Sequence, residues 1–362
     1  MMTLKRSDLF QKYSGKRVLV TGHTGFKGSW LTYILSQLGA EVFGYSIEEP
    51  EDKRHSYYAL GIHGIVKNPD SHLADVRSLD ALKVALQSAQ PEYLFHLAAQ
   101  PIVSTSYADP YNTFTSNILG TLNVLELLKL EGGDTTAVII TSDKCYKNVE
   151  REEAYVESDE MGGDDPYSAS KGAAELVFHS YNVSFPKMAP SGMCTGRAGN
   201  VFGGGDWSRN RLIPDCAREL FTRGVVDIRM PDAVRPWTFV VDILFGYLIL
   251  GASLRTDPAR YRGSWNFASG ETKTVEQVVE LFIESLGTGR LNVNKATAFG
   301  KEAGLLLIDP TKANQELGWT NVLSVDAALG ETAKWYKAQN EGANMDAYSR
   351  EFLQRYYLGA DA

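Results

Sequence analysis

The 362-residue chain predicts an α/β protein, a doubly wound parallel sheet accompanied by a second, smaller α/β domain. Three observations point there. Short apolar runs alternate with helical patterns through the first half. A glycine-rich turn joins the first apolar run to the first helical pattern. After about Asn200 the alternation gives way to loops, shorter helices and isolated apolar stretches. With 44% hydrophobic residues, the chain has the material for one large core and a lesser one.

Strands are expected at residues 17–21, 41–45, 65–67, 93–97, 137–141 and 193–197, each a short and largely apolar run bounded by turn residues. Helices are expected between them at 27–38, 79–88, 111–130 and 166–183. Strand–helix alternation of this kind implies parallel strands covered on both faces, with ligands at the carboxyl ends of the strands. Farther on, Gly203-Gly204-Gly205-Asp206-Trp207 reads as a loop and 212–223 as a helix. The runs at 237–241 and 265–268 read as strands returning to the main sheet. The division implied is 14–200 with 237–268 for the larger domain, 201–236 with 269–345 for the smaller, and a tail at 346–362. Within that tail, 346–358 forms an amphipathic helix through Tyr348, Phe352, Tyr356 and Tyr357, expected to pack on the body or on a neighbouring subunit.

Composition removes several classes of function. A net charge of −8 without long basic runs argues against nucleic-acid binding. Three scattered cysteines (Cys145, Cys194, Cys216) form no disulfide framework and suit a reducing compartment. The six histidines show no metal-ligand spacing, so no metal is expected. No apolar stretch follows Lys5 and Arg6 as a signal peptide requires, and none reaches the ~20 residues of a membrane span. A cytoplasmic protein is expected.

Chemistry concentrates in two places. The first is Thr21-Gly22-His23-Thr24-Gly25-Phe26-Lys27-Gly28, between the first strand and first helix. Gly22, Gly25 and Gly28 permit a tight turn and close backbone approach, and the helix start faces a pyrophosphate, as in Rossmann dinucleotide sites. The second strand is followed by Ser46, Ile47, Glu48 and Glu49 with no arginine nearby. Two carboxylates repel a 2′-phosphate, so NAD is favoured over NADP. The second place is Asp165-Pro166-Tyr167-Ser168-Ala169-Ser170-Lys171. Asp165 suits the N-cap and Pro166 the first helical position, so Tyr167 and Lys171 share one face of the opening turns. A cation beside a phenol favours the phenolate, moving a tyrosine from about 10 toward base strength at neutral pH.

With these motifs, His96-Leu97-Ala98-Ala99 and Ser116-Asn117-Ile118-Leu119-Gly120-Thr121, the chain resembles the extended short-chain dehydrogenases/reductases. Within them it is similar to the CDP-glucose 4,6-dehydratases, through the glycine turn, Thr141-Ser142-Asp143-Lys144-Cys145-Tyr146, Arg197-Ala198-Gly199-Asn200-Val201, the 203–207 loop, Arg211-Leu212-Ile213-Pro214-Asp215 and Arg235-Pro236-Trp237. The resemblance spans nearly the whole chain. It implies an NAD cofactor held by Gly22, Gly25, Phe26, Lys27, Gly28, Asp75, Val76, Ala98, Ala99, Gln100, Asn117, Thr141, Tyr167 and Lys171. It implies a nucleotide-sugar substrate, CDP-glucose, met by Gln100, Asn200, Arg211, Leu212 and Arg235. Tyr167 would take the sugar 4-OH proton with support from Lys171, and Ser142 would hydrogen-bond the 4-oxygen. Asp143 would be the acid for the 6-OH and Lys144 the base at C5, unless Lys144 merely pairs with Asp143 or a phosphate. His96 reads as a buried strand-end histidine. Family helices matching 111–130 and 166–183 pair between subunits, which implies a homodimer or homotetramer.

Two stretches depart from the family pattern. Ser104 stands where an arginine is usual, and Lys301-Glu302-Ala303-Gly304-Leu305-Leu306-Leu307 replaces a stretch beginning His-Glu-Ala that lies against the nucleotide in relatives. Two other readings stand beside the dehydratase. One is a 4-epimerase or a dehydratase acting on another nucleotide sugar; an epimerase has no use for an acid–base pair at C5 and C6. The other is a non-catalytic NAD-sensing regulator, which would be expected to lose Tyr167 or Lys171.

Overall fold

A computed structural model describes residues 6–68, 73–185, 191–228, 230–293 and 305–359. The main sheet has six parallel strands: β1 (Arg17–Thr21), β2 (Glu41–Tyr45), β3 (Tyr93–His96), β4 (Thr136–Ile140), β5 (Met193–Arg197) and β6 (Gly263–Asn266). Their order is β6-β5-β4-β3-β1-β2. From β1 the chain crosses to β2 on one side, then returns to place β3 on the other. The topological switch therefore falls between β1 and β3, where ligands of such sheets bind. Strands β1, β3 and β4 are almost wholly buried, as continuous apolar runs covered on both faces should be.

Five helices matter to the site: α1 (Phe26–Gln37), α2 (Leu79–Ala89), α3 (Gly120–Glu131), α4 (Pro166–Ser184) and α5 (Leu212–Arg223). The expected helix at 111–130 is broken into Pro110–Phe114, a wider π turn at Thr115–Leu119, and α3. One hydrophobic core lies between the sheet, α1 and the later helices; a second, with Leu86, Leu125, Leu128 and Phe178, fills the opposite face.

The strand expected at 65–67 does not form. Ile62–Ile65 is a short helix, and Lys67 N–H makes a single 2.8 Å bond to Val42 O. The Asn68 side chain then takes over what a neighbouring strand's backbone would do. Its Oδ1 accepts from Gly44 N–H and its Nδ2 donates to Gly44 O, each at 2.9 Å. The expected return of 237–241 to the main sheet is also corrected. Thr238–Phe239 pairs in parallel with Val201–Phe202 as a separate two-stranded unit, and Val240 starts a 17-residue helix ending at Thr256. That helix is apolar on all sides because it is buried from Val240 to Leu254, a run too long for a strand. The 265–268 expectation corresponds to β6, shifted toward the N-terminus by two residues.

The last segment, Met345–Leu353 continuing to Leu358, packs against the body. Tyr357 donates to Asp242 Oδ1 (2.9 Å) and stacks on Phe245, while Trp335 Nε1 donates to Ser349 Oγ (3.1 Å). Among the described residues no helix is long and apolar enough to cross a membrane.

Candidate active site

The site begins at the switch point. Gly22 closes β1 with φ of +75°, and a Cβ there would stand 2.7 Å from Ala98 N in the loop after β3. A Cβ at Gly28 would overlap Gly22 O. Only glycines let these two turns and the start of α1 come together. Gly25 is the N-cap of α1 and offers no side-chain cap, so first-turn N–H groups remain for an anion. A dinucleotide pyrophosphate fits this cradle.

The next strand ends supply the reactive groups. Asp165 caps α4 as expected, accepting from Ser168 N–H at 3.0 Å, with Pro166 at the first helical position. Tyr167 and Lys171 follow, both buried. Asn117 ties this helix to the loop after β3: its Nδ2 donates to Ser170 Oγ (2.8 Å) and Gln100 O (3.1 Å), and its Oδ1 accepts from Gln100 N–H (2.8 Å). Beyond β4, Ser142 Oγ donates to Asp143 Oδ1 at 2.8 Å and accepts from Lys144 N–H at 3.2 Å. Asp143 Oδ2 is buried without a hydrogen-bond partner among the described residues, and it presses on Gly199, where any Cβ would overlap it. Lys144 is half-buried, and its ammonium is paired neither with Asp143 nor with any other described residue.

Electrostatics here differ from the simple Tyr–Lys argument. Burial pushes the Tyr167 phenol up to about 12; a hydrogen bond with Ser142 opposes this and Asp143 adds to it. Burial pulls Lys171 down to about 8, against the attraction of Glu175. Desolvation thus dominates both groups in the protein alone, and the main opposing influences come from other residues, Ser142 on Tyr167 and Glu175 on Lys171. His96 is a buried strand-end residue as read, hydrogen-bonded through Nδ1 to Thr21 Oγ1 (2.7 Å) and held down to about 3, first by burial and then by Lys171.

A cavity of about 1000 Å³ opens beside these groups. Its wall carries Lys27, Thr141, Ser142, Asp143, Lys144 and Tyr167, together with Asn200, Arg211, Leu212 and Arg235. Arg211 is aimed by Asp206, whose Oδ2 lies 3.4 Å from Nη1. Asp206 is itself fixed by the glycine loop: Trp30 Nε1 donates to Gly204 O (2.8 Å), Tyr336 donates to Asp206 O (2.5 Å), and Trp335 leaves no room for a side chain at Gly204. Asn200 adopts φ of +47°, a left-handed conformation that asparagine tolerates. Ser104 also lines the cavity and accepts from Asn210 Nδ2 at 3.2 Å.

Other expected contacts sit outside that wall. The Gln100 amide is turned away, donating to Thr113 Oγ1 (2.7 Å) and accepting from Ile102 N–H (2.6 Å). Asp75 is gripped by Arg77, which also reaches Asn112 Oδ1 (3.0 Å). Val76 packs on Gly120. Gly22, Gly25, Phe26, Gly28, Ala98 and Ala99 line the switch-point turns. Of the two carboxylates after β2, Glu49 is taken up by Tyr57 and Tyr58 hydroxyls at 2.9 and 3.0 Å, while Glu48 stays exposed. Lys301, Glu302, Ala303 and Gly304 fall outside the described residues. Just after them, Leu307 O accepts from Tyr155 N–H at 2.7 Å.

Sequence reasoning missed a buried ion pair. Glu175 Oε2 lies 2.8 Å from Arg197 Nη2, with both side chains almost fully enclosed. Glu175 also accepts from Thr141 Oγ1, Thr195 Oγ1 and Ser264 Oγ, and Arg197 donates to Tyr146 OH (2.7 Å). Burial pushes the Glu175 carboxyl up, but Arg197 and these hydroxyls hold it low. Its position one turn beyond Lys171 was the available signal.

The model of the GDP-mannose 4,6 dehydratase family matches residues 19–332. The chain is 40% identical over 354 residues to the CDP-glucose 4,6-dehydratase of Salmonella typhimurium, covering 95% of this chain and 97% of that one. A solved epimerase from Methanothermobacter thermautotrophicus superposes with a TM-score of 0.77 at 25% identity, covering 93% and 96% of the two chains. The dTDP-glucose 4,6-dehydratase of Bacillus anthracis, solved with NAD, shares the fold at a TM-score of 0.72 and 19% identity, over 90% and 98% of the chains.

Proposed function

The chain belongs to the GDP-mannose 4,6-dehydratase family, within the extended short-chain dehydrogenases/reductases, and on that premise we propose that it is an NAD-dependent hydro-lyase converting CDP-D-glucose to CDP-4-keto-6-deoxy-D-glucose. The observation that carries the reading is the Ser142-Asp143-Lys144 turn on the same cavity wall as Tyr167. Oxidation at C4 needs only Tyr167, Lys171 and the nucleotide; a second acid–base pair is what elimination across C5–C6 requires.

NAD would be held by the Gly22, Gly25 and Gly28 turns with Phe26, by Asp75, Val76, Ala98 and Ala99, and by Asn117, Thr141 and Lys171. When bound, it takes the hydride from C4 and gives it back to C6. Tyr167 accepts the 4-OH proton, assisted by Ser142 Oγ at the same oxygen. A 4-keto group then acidifies the C5 proton, which Lys144 removes. Asp143 delivers a proton to the departing 6-OH. Its Oδ2 is the oxygen free for that proton, since Oδ1 is occupied by Ser142. Water leaves, and Lys144 returns its proton to C5 as C6 becomes a methyl group. Arg211 and Arg235 suit the substrate diphosphate, because a guanidinium meets phosphate oxygens in pairs. Asn200 and Leu212 border the sugar.

Residues 14–200 with 237–268 would form the cofactor part, and 201–236 with 269–345 the substrate part. A homodimer or homotetramer is supported by apolar side chains exposed beside and along α3 and α4, among them Tyr111, Leu130, Leu176 and Val183. A cytoplasmic setting suits the three buried free thiols.

The test is a panel of nucleotide-glucoses. CDP-glucose should give a 4-keto-6-deoxy product with the highest kcat/KM. A product inverted at C4 that keeps its 6-hydroxyl would assign the chain to the epimerases instead.

A further inference from the structure

Lys27 is the second residue of α1, next to the glycine turn, where the family likeness assigns it to the cofactor. Its side chain also lines the cavity that holds Asp143, Tyr167, Arg211 and Arg235. Arg211 has Asp206 as a partner, but no described residue makes a hydrogen bond or ion pair with the Lys27 ammonium. The charged groups acting on it are Lys171 from α4, Asp143 from the turn after β4 and Arg211, while Tyr167, Lys144, Asp206, Arg235 and the carboxylate–arginine pairs of α5 line the same cavity. Burial, then repulsion from Lys171 and Arg211, pulls Lys27 down to about 7, with Asp143 alone opposing. The other carboxylates on the cavity wall, Asp206, Asp215, Glu219 and Asp227, are each paired with an arginine, so the positive charge around Lys27 is offset nearby by Asp143 and is better compensated once an anion enters.

We propose that the Lys27 side chain binds the diphosphate of the nucleotide sugar alongside Arg211, and so sets substrate affinity. This rests on the dehydratase reading above. A bound diphosphate favours the charged amine, so substrate entry near neutral pH draws a proton onto Lys27. Arginine, always protonated, cannot take up a proton in this way.

The experiment is titration calorimetry of the NAD-loaded enzyme with CDP, in two buffers of different ionisation enthalpy near neutral pH. Wild type should take up protons on binding. Lys27→Met should bind CDP about ten- to hundred-fold more weakly, the range for losing one charged hydrogen bond. Lys27→Arg should regain most of the affinity while losing the proton uptake assigned to Lys27. The nicotinamide retained through purification, which also reports correct folding, should be unchanged in both variants. Unaltered CDP affinity in Lys27→Met would overturn the proposal, as would a loss of retained nicotinamide with CDP affinity intact, which would give Lys27 to the cofactor phosphates. Failure of wild type to bind CDP would remove the substrate reading itself, and Lys27's role with it.

Discussion

Removing the Tyr167 hydroxyl while keeping its ring separates the two halves of the proposed reaction. Tyr167→Phe leaves nothing at C4 to take the proton, so turnover should fall by about 10²–10⁴-fold with no oxidised sugar formed. Asp143→Asn keeps Tyr167 and Lys171 but cannot deliver a proton to the 6-OH. Quenched mixtures should then hold a 4-keto sugar that retains its 6-hydroxyl, and normal turnover in this variant would contradict the role given to Asp143. Lys171 gives a prediction on stability. Its pKa falls from 10.5 to about 8 on folding, so below pH 8 both states are protonated and the folded state bears the cost of the buried charge. That cost fades as pH rises from about 8 to 10.5. Lys171→Met should therefore be the more stable protein at pH 7, by roughly 3 kcal/mol at most, with the gap closing toward pH 10.5. Denaturant unfolding at pH 7 and 10 measures it. Tyr167 and Lys171 were legible because i and i+4 positions share a helix face whatever the rest of the fold does. The Tyr167 environment was not, because desolvation depends on everything packed around it.

Among the elements, β1, β2, β5 and α5 fall where their apolar runs and bounding turn residues put them. The failures have local causes. Asn68 satisfies Gly44 on both sides with one amide, so no strand is needed at 65–67. The run from Val240 becomes a helix because it is enclosed on every side, which its composition alone leaves undecided between strand and helix. The Glu175–Arg197 pair joins α4 to β5 and was hidden because a glutamate on a helix usually faces water; only the tertiary fold brings Arg197 to it. Truncating one partner of such a pair leaves the other charge buried alone. Glu175→Ala should cost about 3–5 kcal/mol, read as a lower denaturation midpoint. A cost within experimental error would show that Arg197 finds another partner.

Across the whole molecule, the parallel sheet and its switch point put the glycine turns, the Ser142-Asp143-Lys144 turn and the start of α4 at one set of strand ends. The 200–235 segment closes the cavity against them with Asn200, Arg211 and Arg235. The first half of this arrangement was readable from alternating runs and motif spacing. The second was not, since the pairing of Val201–Phe202 with Thr238–Phe239 and the aiming of Arg211 by Asp206 depend on contacts that no local pattern announces. The arrangement serves one reaction, in which a hydride leaves C4 and returns to C6 of the same sugar while water departs. CDP-glucose carrying deuterium at C4 tests this directly. The expected result is a 4-keto-6-deoxy product with the deuterium in its C6 methyl group and no net reduction of nicotinamide. Deuterium retained at C4 of an inverted sugar, or reduced nicotinamide accumulating in step with product, would contradict it.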